Sequence, residues 1–179
     1  MTKTKFIVFD GPDSAGKSTM IRDLARMDNV KEIKFLKTLP SGNLLRINTE
    51  KDFELLFSMF DLLDKDITYV LDRFVVSNLV YDKVFRNEDI SVSTFYHQEF
   101  LKRFSVLEMF LTRDHIKTDF EDDRIKMSSS KFNEVINEYH KYGINFHMLI
   151  RNKDDEITGV CEDMRGRLIN QCTNFINDY

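Results

Sequence analysis

The sequence predicts an α/β fold: a three-layer sandwich in which a five-stranded parallel sheet carries helices on both faces, with a mobile lid. Three observations predict it. Short apolar runs alternate with stretches of helical period, the pattern of strands joined by crossover helices. A glycine-bearing turn, Gly11 to Ser18, joins the first apolar run to the first helical stretch. The stretch 112–130 is polar, charged and aperiodic, and loops of that length inside compact domains are often lids.

In chain order, Lys5–Asp10 reads as the first strand, with Phe6-Ile7-Val8-Phe9 at its centre. A helix over 18–27 follows, opened by Met20-Ile21-x-x-Leu24. The second strand is expected over 31–36 and a helix over 52–63. Thr68–Asp72 is a buried-strand pattern closing on an acid, with a base, Arg73, next to it. Helices are expected over 77–85 and 92–104, and a strand over 106–111. The lid spans about 112–130. A helix over 131–142, a strand over 145–150 and a long helix over 156–176 complete the chain. No repeat, linker or low-complexity stretch interrupts the 179 residues, so 1–179 is read as one domain. Hydrophobic residues make up 42%, with sixteen Phe and no Trp. That is enough for a core built on Phe, Leu and Ile.

Composition narrows the partners. A net charge of −4 argues against a nucleic-acid polymer, whose binding domains are usually basic. It leaves room for a small anion in a local basic pocket. No run approaches the ~18 apolar residues of a membrane span. Met1-Thr2-Lys3-Thr4 runs straight into the first strand, leaving no room for a signal peptide. Cys161 and Cys172 fall eleven residues apart on one helix, about 16 Å at ~1.5 Å rise per residue. A disulfide needs Cα atoms within roughly 7 Å, so both thiols are expected reduced and the setting cytoplasmic.

Gly11-Pro12-Asp13-Ser14-Ala15-Gly16-Lys17-Ser18 fits G-x-x-x-x-G-K-[ST] between a strand and a helix, the context that gives this P-loop motif its meaning. Backbone N–H groups from Asp13 to Thr19 would turn onto phosphate oxygens, aided by the helix N-terminus. Lys17 would reach the β- and γ-phosphates, and Ser18 would offer its hydroxyl to Mg²⁺. The motif therefore predicts a bound nucleoside triphosphate, taken as ATP. At the end of the third strand, Asp72 can hold Mg²⁺ or its water, and Arg73 can clamp a second phosphate bidentately. Ser77 and Tyr81 follow at helical spacing on one face.

These residues resemble the thymidylate kinases and related deoxynucleoside monophosphate kinases. The family P-loop reads FEGxDGxGKST, matched by Phe9 to Thr19, and its second signature DRYxxSxxAY is matched by Asp72 to Tyr81. A third segment, LLFxxxR, is matched by Leu55-Leu56-Phe57-Ser58-Met59-Phe60-Asp61. The resemblance implies that Asp13 faces the acceptor's phosphate and sugar. Arg73 and Lys37 would hold its phosphate, Lys37 standing ahead of Pro40 and Gly42. Phe57 would stack on the base, Tyr81 pack under the sugar, and Ser77 bond the base edge. With Ser14 in the P-loop where some members have arginine, the catalytic arginine would come from the lid: Arg124, with Arg113 and Lys126 as further candidates. The resemblance also implies a homodimer and a deoxynucleoside monophosphate acceptor, most directly dTMP. Asp61 stands where the family arginine touches the base. A carboxylate only accepts hydrogen bonds, so an Asp61 that reaches the base edge would suit a cytosine amino group or a hydroxymethylated pyrimidine better than thymine O4, whereas an Asp61 tilted to solvent near the helix end would leave the preference with dTMP.

Three rivals share parts of this pattern. A deoxynucleoside kinase has the P-loop and an acid–arginine pair but needs no second phosphate clamp, which Lys37 with Arg73 supplies. A domain that binds without turnover would not need Lys17, Ser18, Asp72 and Arg73 together. A GTPase-like switch is suggested by Asn152-Lys153-Asp154-Asp155, which fits N-K-x-D. Such a switch also needs D-x-x-G after a central strand, where this chain has Asp72-Arg73-Phe74. Asn152 and Lys153 are instead expected near the donor base.

Overall fold

The computed structural model describes residues 2–12, 15–35, 46–113, 129–142, 146–149 and 160–178. Its strands are β1 (Lys5–Asp10), β2 (Val30–Ile33), β3 (Thr68–Asp72), β4 (Ser105–Arg113) and β5 (Phe146–Leu149). Its helices are α1 (Lys17–Leu24), α2 (Glu50–Asp61), α3 (Val75–Tyr81), α4 (Ser91–Arg103), α5 (Ser129–Lys141) and α6 (Val160–Asn177). A π-helical turn, Asp82–Arg86, extends α3. Every strand pair is parallel, in the order β2-β3-β1-β4-β5. The central strand β1 pairs Phe9 with Asp72 of β3 and Asp10 with Phe110 of β4. That register brings the end of β1, the end of β3 and the late part of β4 to one edge of the sheet, where ligands bind in folds of this kind.

Both faces of the sheet are covered because successive residues of β1 point to opposite sides. Phe6 and Val8 pack with Phe53, Phe57 and Phe60 of α2, Leu79 of α3 and Phe100 of α4. Ile7 and Phe9 pack with Met20, Ile21 and Leu24 of α1 and with Leu168, Cys172 and Ile176 of α6. A third cluster joins α3 to α5 through Val76, Val80, Phe110, Val135 and Tyr139. The sandwich is thus α1 and α6 on one face and α2, α3, α4 and α5 on the other.

Helix α2 starts at a reciprocal cap. The Thr49 hydroxyl accepts from the Asp52 N–H at 3.3 Å, and the Asp52 carboxylate accepts from the Thr49 N–H at 3.2 Å. The helix then leads directly into β3. Its Phe57 is 2% exposed, set among Phe53, Tyr96, Phe100 and Phe104 at ring-centroid distances of 5.6–6.2 Å. This corrects the base-stacking role expected of Phe57: the ring is part of the core. Asp61, at the outer end of the same helix, is bound by Arg103 of α4, whose Nε donates at 3.2 Å. The same guanidinium lies 6.0 Å over the Phe57 ring. Asp61 is therefore half of an exposed ion pair, and its expected contact with a base edge is corrected too.

Phe57→Ala should cost about 3–5 kcal/mol of unfolding free energy, the range for a buried aromatic truncated to alanine. Urea denaturation without ligand measures it. An unmoved midpoint would return Phe57 to a ligand-facing position.

Candidate active site

The site is built at the end of β1. Gly11 adopts φ 134, and a Cβ there would lie 1.9 Å from the Leu111 carbonyl oxygen of β4. Only glycine allows the chain to turn so close to the neighbouring strand. Gly16, at φ 89, is the N-cap of α1 and supplies no side chain to its first N–H groups, which leaves them for an anion. Ala15 is fully buried, Ser18 is exposed in the first turn of α1, and Thr19 is half-buried. Lys17 is buried, and its ammonium donates to the Gly11 carbonyl at 3.0 Å and to the Pro12 carbonyl at 2.6 Å.

Arg73 follows β3 in the left-handed region, at φ 66, which is costly for a side chain with a Cβ. Its N–H donates to the Phe9 carbonyl at 2.9 Å. Its Nε donates at 3.2 Å to the Gly11 carbonyl, the same oxygen that holds Lys17. The guanidinium lies 5.5 Å over the Tyr81 ring, which stacks on Phe85 at 5.5 Å and 20°. The two cations expected on donor and acceptor phosphates thus converge on one backbone oxygen.

Asp72 continues the Val70 side of β3, toward α1. Its Oδ1 is buried without a hydrogen-bond partner. A lone carboxylate oxygen and the exposed Ser18 hydroxyl are hard donors of the kind Mg²⁺ takes alongside phosphate oxygens, so the residues present fit that ion.

Asp10 is the site residue that the motifs did not single out. It is fully buried on the α3–α5 side of the sheet. Its Oδ1 accepts from the Phe74 N–H at 3.3 Å and from the Ser77 hydroxyl. The Ser77 oxygen is in turn 2.9 Å from the Tyr139 hydroxyl of α5. Ser77, expected at a base edge, is buried and engaged with these two groups, which corrects its assignment. Burial pushes the Asp10 carboxyl from 3.8 up to about 6, opposed by the Ser77 hydrogen bond and reinforced by Glu108. Glu108 is itself 2.8 Å from His97 Nε2. An acid ending an apolar strand just before a P-loop glycine was a usable signal for Asp10. Tyr139 gave none, since 62 residues separate it from Ser77.

Around this centre, Asn78 Nδ2 donates to the Ile47 carbonyl at 3.0 Å. Arg46 Nη2 donates to the buried Asp82 carboxylate at 2.9 Å and Nη1 to Glu88 at 3.1 Å. Arg113 closes β4. Asp13, Ser14, Lys37, Arg124, Lys126, Asn152 and Lys153 lie outside the described residues, as does the Arg113 side chain.

No family model matches the chain. Over 85 residues it is 36% identical to the SPbeta prophage-derived uncharacterized protein YorR of Bacillus subtilis, a match spanning 47% of this chain and 46% of YorR, so about half of each. Among solved structures, the thymidylate kinase of Candida albicans superposes with a TM-score of 0.58 at 19% identity, over 98% of this chain and 96% of that one. YorR from Bacillus subtilis, solved with phosphorylated GDP, gives 0.53 at 19% identity over 98% and 99%. The thymidylate kinase of Ehrlichia chaffeensis gives 0.53 at 14% identity over 95% and 99%. The chain shares the fold of these thymidylate kinases and of YorR.

Asp10 makes stability fall with pH. Its carboxyl is raised in the folded state, so the folded protein holds the proton more tightly than the unfolded chain. Stability is full below pH ~4 and is lost as pH rises through about 6. Asp10→Asn removes that loss. The stability difference between variant and wild type should grow by about 2 kcal/mol from pH 4 to pH 7, read by urea denaturation across the range. A difference that stays flat means the buried carboxyl is not raised.

Proposed function

We propose that this chain is a deoxynucleoside monophosphate kinase of the thymidylate kinase family, moving the γ-phosphate of ATP to the phosphate of a deoxynucleoside monophosphate. One observation carries the reading. Lys17 and Arg73 share the Gly11 carbonyl, so a donor phosphate on the first and an acceptor phosphate on the second would lie side by side. A single-phosphate site has no need of the second cation, and a strained backbone maintained at Arg73 is the kind of feature found where geometry serves chemistry.

In this reading the first N–H groups of α1 and Lys17 hold the triphosphate, with Asp13, Ser14, Ala15, Gly16 and Thr19 completing the cradle. Ser18 and Asp72 would hold Mg²⁺, whose charge would offset that of the phosphates. Arg73 and Lys37 orient the acceptor phosphate, and Tyr81 with Phe85 walls the sugar. Transfer is then a matter of positioning and electrostatics, and an ionised phosphate needs no general base. Arg124, or Arg113 or Lys126 in its place, would meet the developing charge with water excluded. Asn152 and Lys153 flank the donor base.

The acceptor proposed is dTMP or a related pyrimidine nucleotide. With Asp61 paired to Arg103, the reason to favour a cytosine or a hydroxymethylated base loses its support. YorR's phosphorylated GDP adds guanine nucleotides to the candidates. A panel of nucleosides and nucleoside monophosphates with ATP and Mg²⁺, scored for product, is the direct test. Diphosphate from a monophosphate supports the reading, and turnover of nucleosides alone would replace it with a nucleoside kinase. Arg73→Ala should lower kcat/KM for the acceptor by an amount equivalent to about 2–5 kcal/mol, the range for truncating a desolvated charge contact. Its ATP affinity should stay close to wild type. Loss of ATP affinity alone would move Arg73 to the donor.

A homodimer in the cytoplasm completes the proposal. Leu55, Met59 and Leu62 are 64%, 56% and 87% exposed, at helical spacing along α2 and just past its end, the kind of contiguous apolar stripe that marks an interface. Light scattering should report a dimer that Met59→Glu weakens. A monomer in the wild type would remove the dimer from the proposal.

A further inference from the structure

Three consecutive residues at the end of β1 each give one oxygen to the Arg73–Phe74 turn. The Phe9 carbonyl accepts from the Arg73 N–H at 2.9 Å, Asp10 Oδ1 from the Phe74 N–H at 3.3 Å, and the Gly11 carbonyl from Arg73 Nε at 3.2 Å. The middle oxygen is the only one of the three that belongs to a side chain. The Phe74 N–H belongs to the peptide that follows Arg73, so the Asp10 carboxylate fixes the rotation on the C-terminal side of the left-handed residue. Such a conformation persists when its surroundings over-determine it.

Asp10 is itself oriented. The Ser77 hydroxyl donates to the same Oδ1, and the Tyr139 hydroxyl meets Ser77 at 2.9 Å. Facing the carboxylate are Ser77 of α3, Tyr139 of α5, Glu108 of β4 with its partner His97, and Arg73 itself. The other oxygen, Oδ2, is buried with no hydrogen-bond partner. An apolar residue would serve the core better at such a position, since a buried carboxylate carries a desolvation penalty.

We propose that Asp10 is a positioning residue that holds Arg73 in its acceptor-binding conformation, through the Phe74 N–H, and that Ser77 and Tyr139 orient Asp10 from α3 and α5. This rests on the kinase reading above, in which Arg73 takes the acceptor phosphate. Asp10 touches neither phosphate. It sets where the guanidinium points, and Tyr139 makes that direction depend on the seating of α5.

The test compares Asp10→Ala, Asp10→Asn and Tyr139→Phe with wild type, using dTMP, ATP and Mg²⁺, with amide hydrogen exchange read at Phe74. Asp10→Ala should raise the KM for dTMP about ten-fold, leave the KM for ATP within about two-fold, and speed exchange at Phe74. Asp10→Asn keeps an acceptor oxygen and should restore both readouts most of the way. Tyr139→Phe should shift the dTMP KM in the same direction by a smaller factor, and it keeps the test decisive if Asp10→Ala fails to fold. Faster Phe74 exchange with an unmoved dTMP KM overturns the positioning role alone. Equal rises in both KM values overturn it in favour of a purely structural role. A wild-type protein that phosphorylates no monophosphate overturns the kinase reading and the acceptor role of Arg73 together.

Discussion

The approach of Gly11 to β4 is the constraint on which the site depends. With Leu111 O where a Cβ would stand, the chain leaves the sheet without the room a side chain would take. That tight exit aims the Gly11 carbonyl back toward the helices, where Lys17 and Arg73 both donate to it. Lys17 begins α1 and Arg73 directly follows the neighbouring strand β3, so two segments remote in sequence are indexed to one atom. Parallel pairing of β1 with β3 and β4 keeps that atom in place, because a slip of one residue would turn every buried side chain of β1 to the wrong face.

The helices beside Arg73 are tied together by charge as well as by packing. The π-helical turn after α3 is held from one side by Arg46 on Asp82 and from the other by Lys83 on Glu138 of α5, at 2.7 Å. Lys131 adds a bond to the Val84 carbonyl at 3.3 Å. A π-turn is a less stable hydrogen-bond pattern than an α-helix and tends to occur at functional positions. Here it sits directly after Tyr81 and contains Phe85, the two rings that stack beside Arg73.

Much of this was legible in the sequence. The P-loop signature pointed to Gly16, Lys17 and Ser18, and the acid and base at the end of β3 to Asp72 and Arg73, because close backbone approach and the phosphate binding proposed for them admit few residue types. Strand alternation with helices gave the parallel sheet. The failures have physical causes. Leu55-Leu56-Phe57 matched a family segment in letters, yet at helical spacing Phe57 falls on the stripe with Phe53 and Phe60 that faces the sheet, and burial outweighs the local match. Asp61 was read without Arg103, and Ser77 without Tyr139, since pairs 42 and 62 residues apart leave no mark in a local pattern. Helix 77–85 was expected as one piece, and the structure divides it into α3, Val75–Tyr81, and the π-turn Asp82–Arg86.

The strand order has a consequence for how the chain comes to exist. β1 is made first, yet it is the centre of the sheet, and its two neighbours begin at Thr68 and Ser105. During synthesis Phe6-Ile7-Val8-Phe9 emerges with both hydrogen-bonding edges open and waits through some hundred residues for its second partner. Non-local pairing of this kind is slow and exposes apolar surface on the way. Lys5, at the head of the same strand, bonds the Ile176 carbonyl near the end of α6, so this strand is also tied to a helix 171 residues further along the chain.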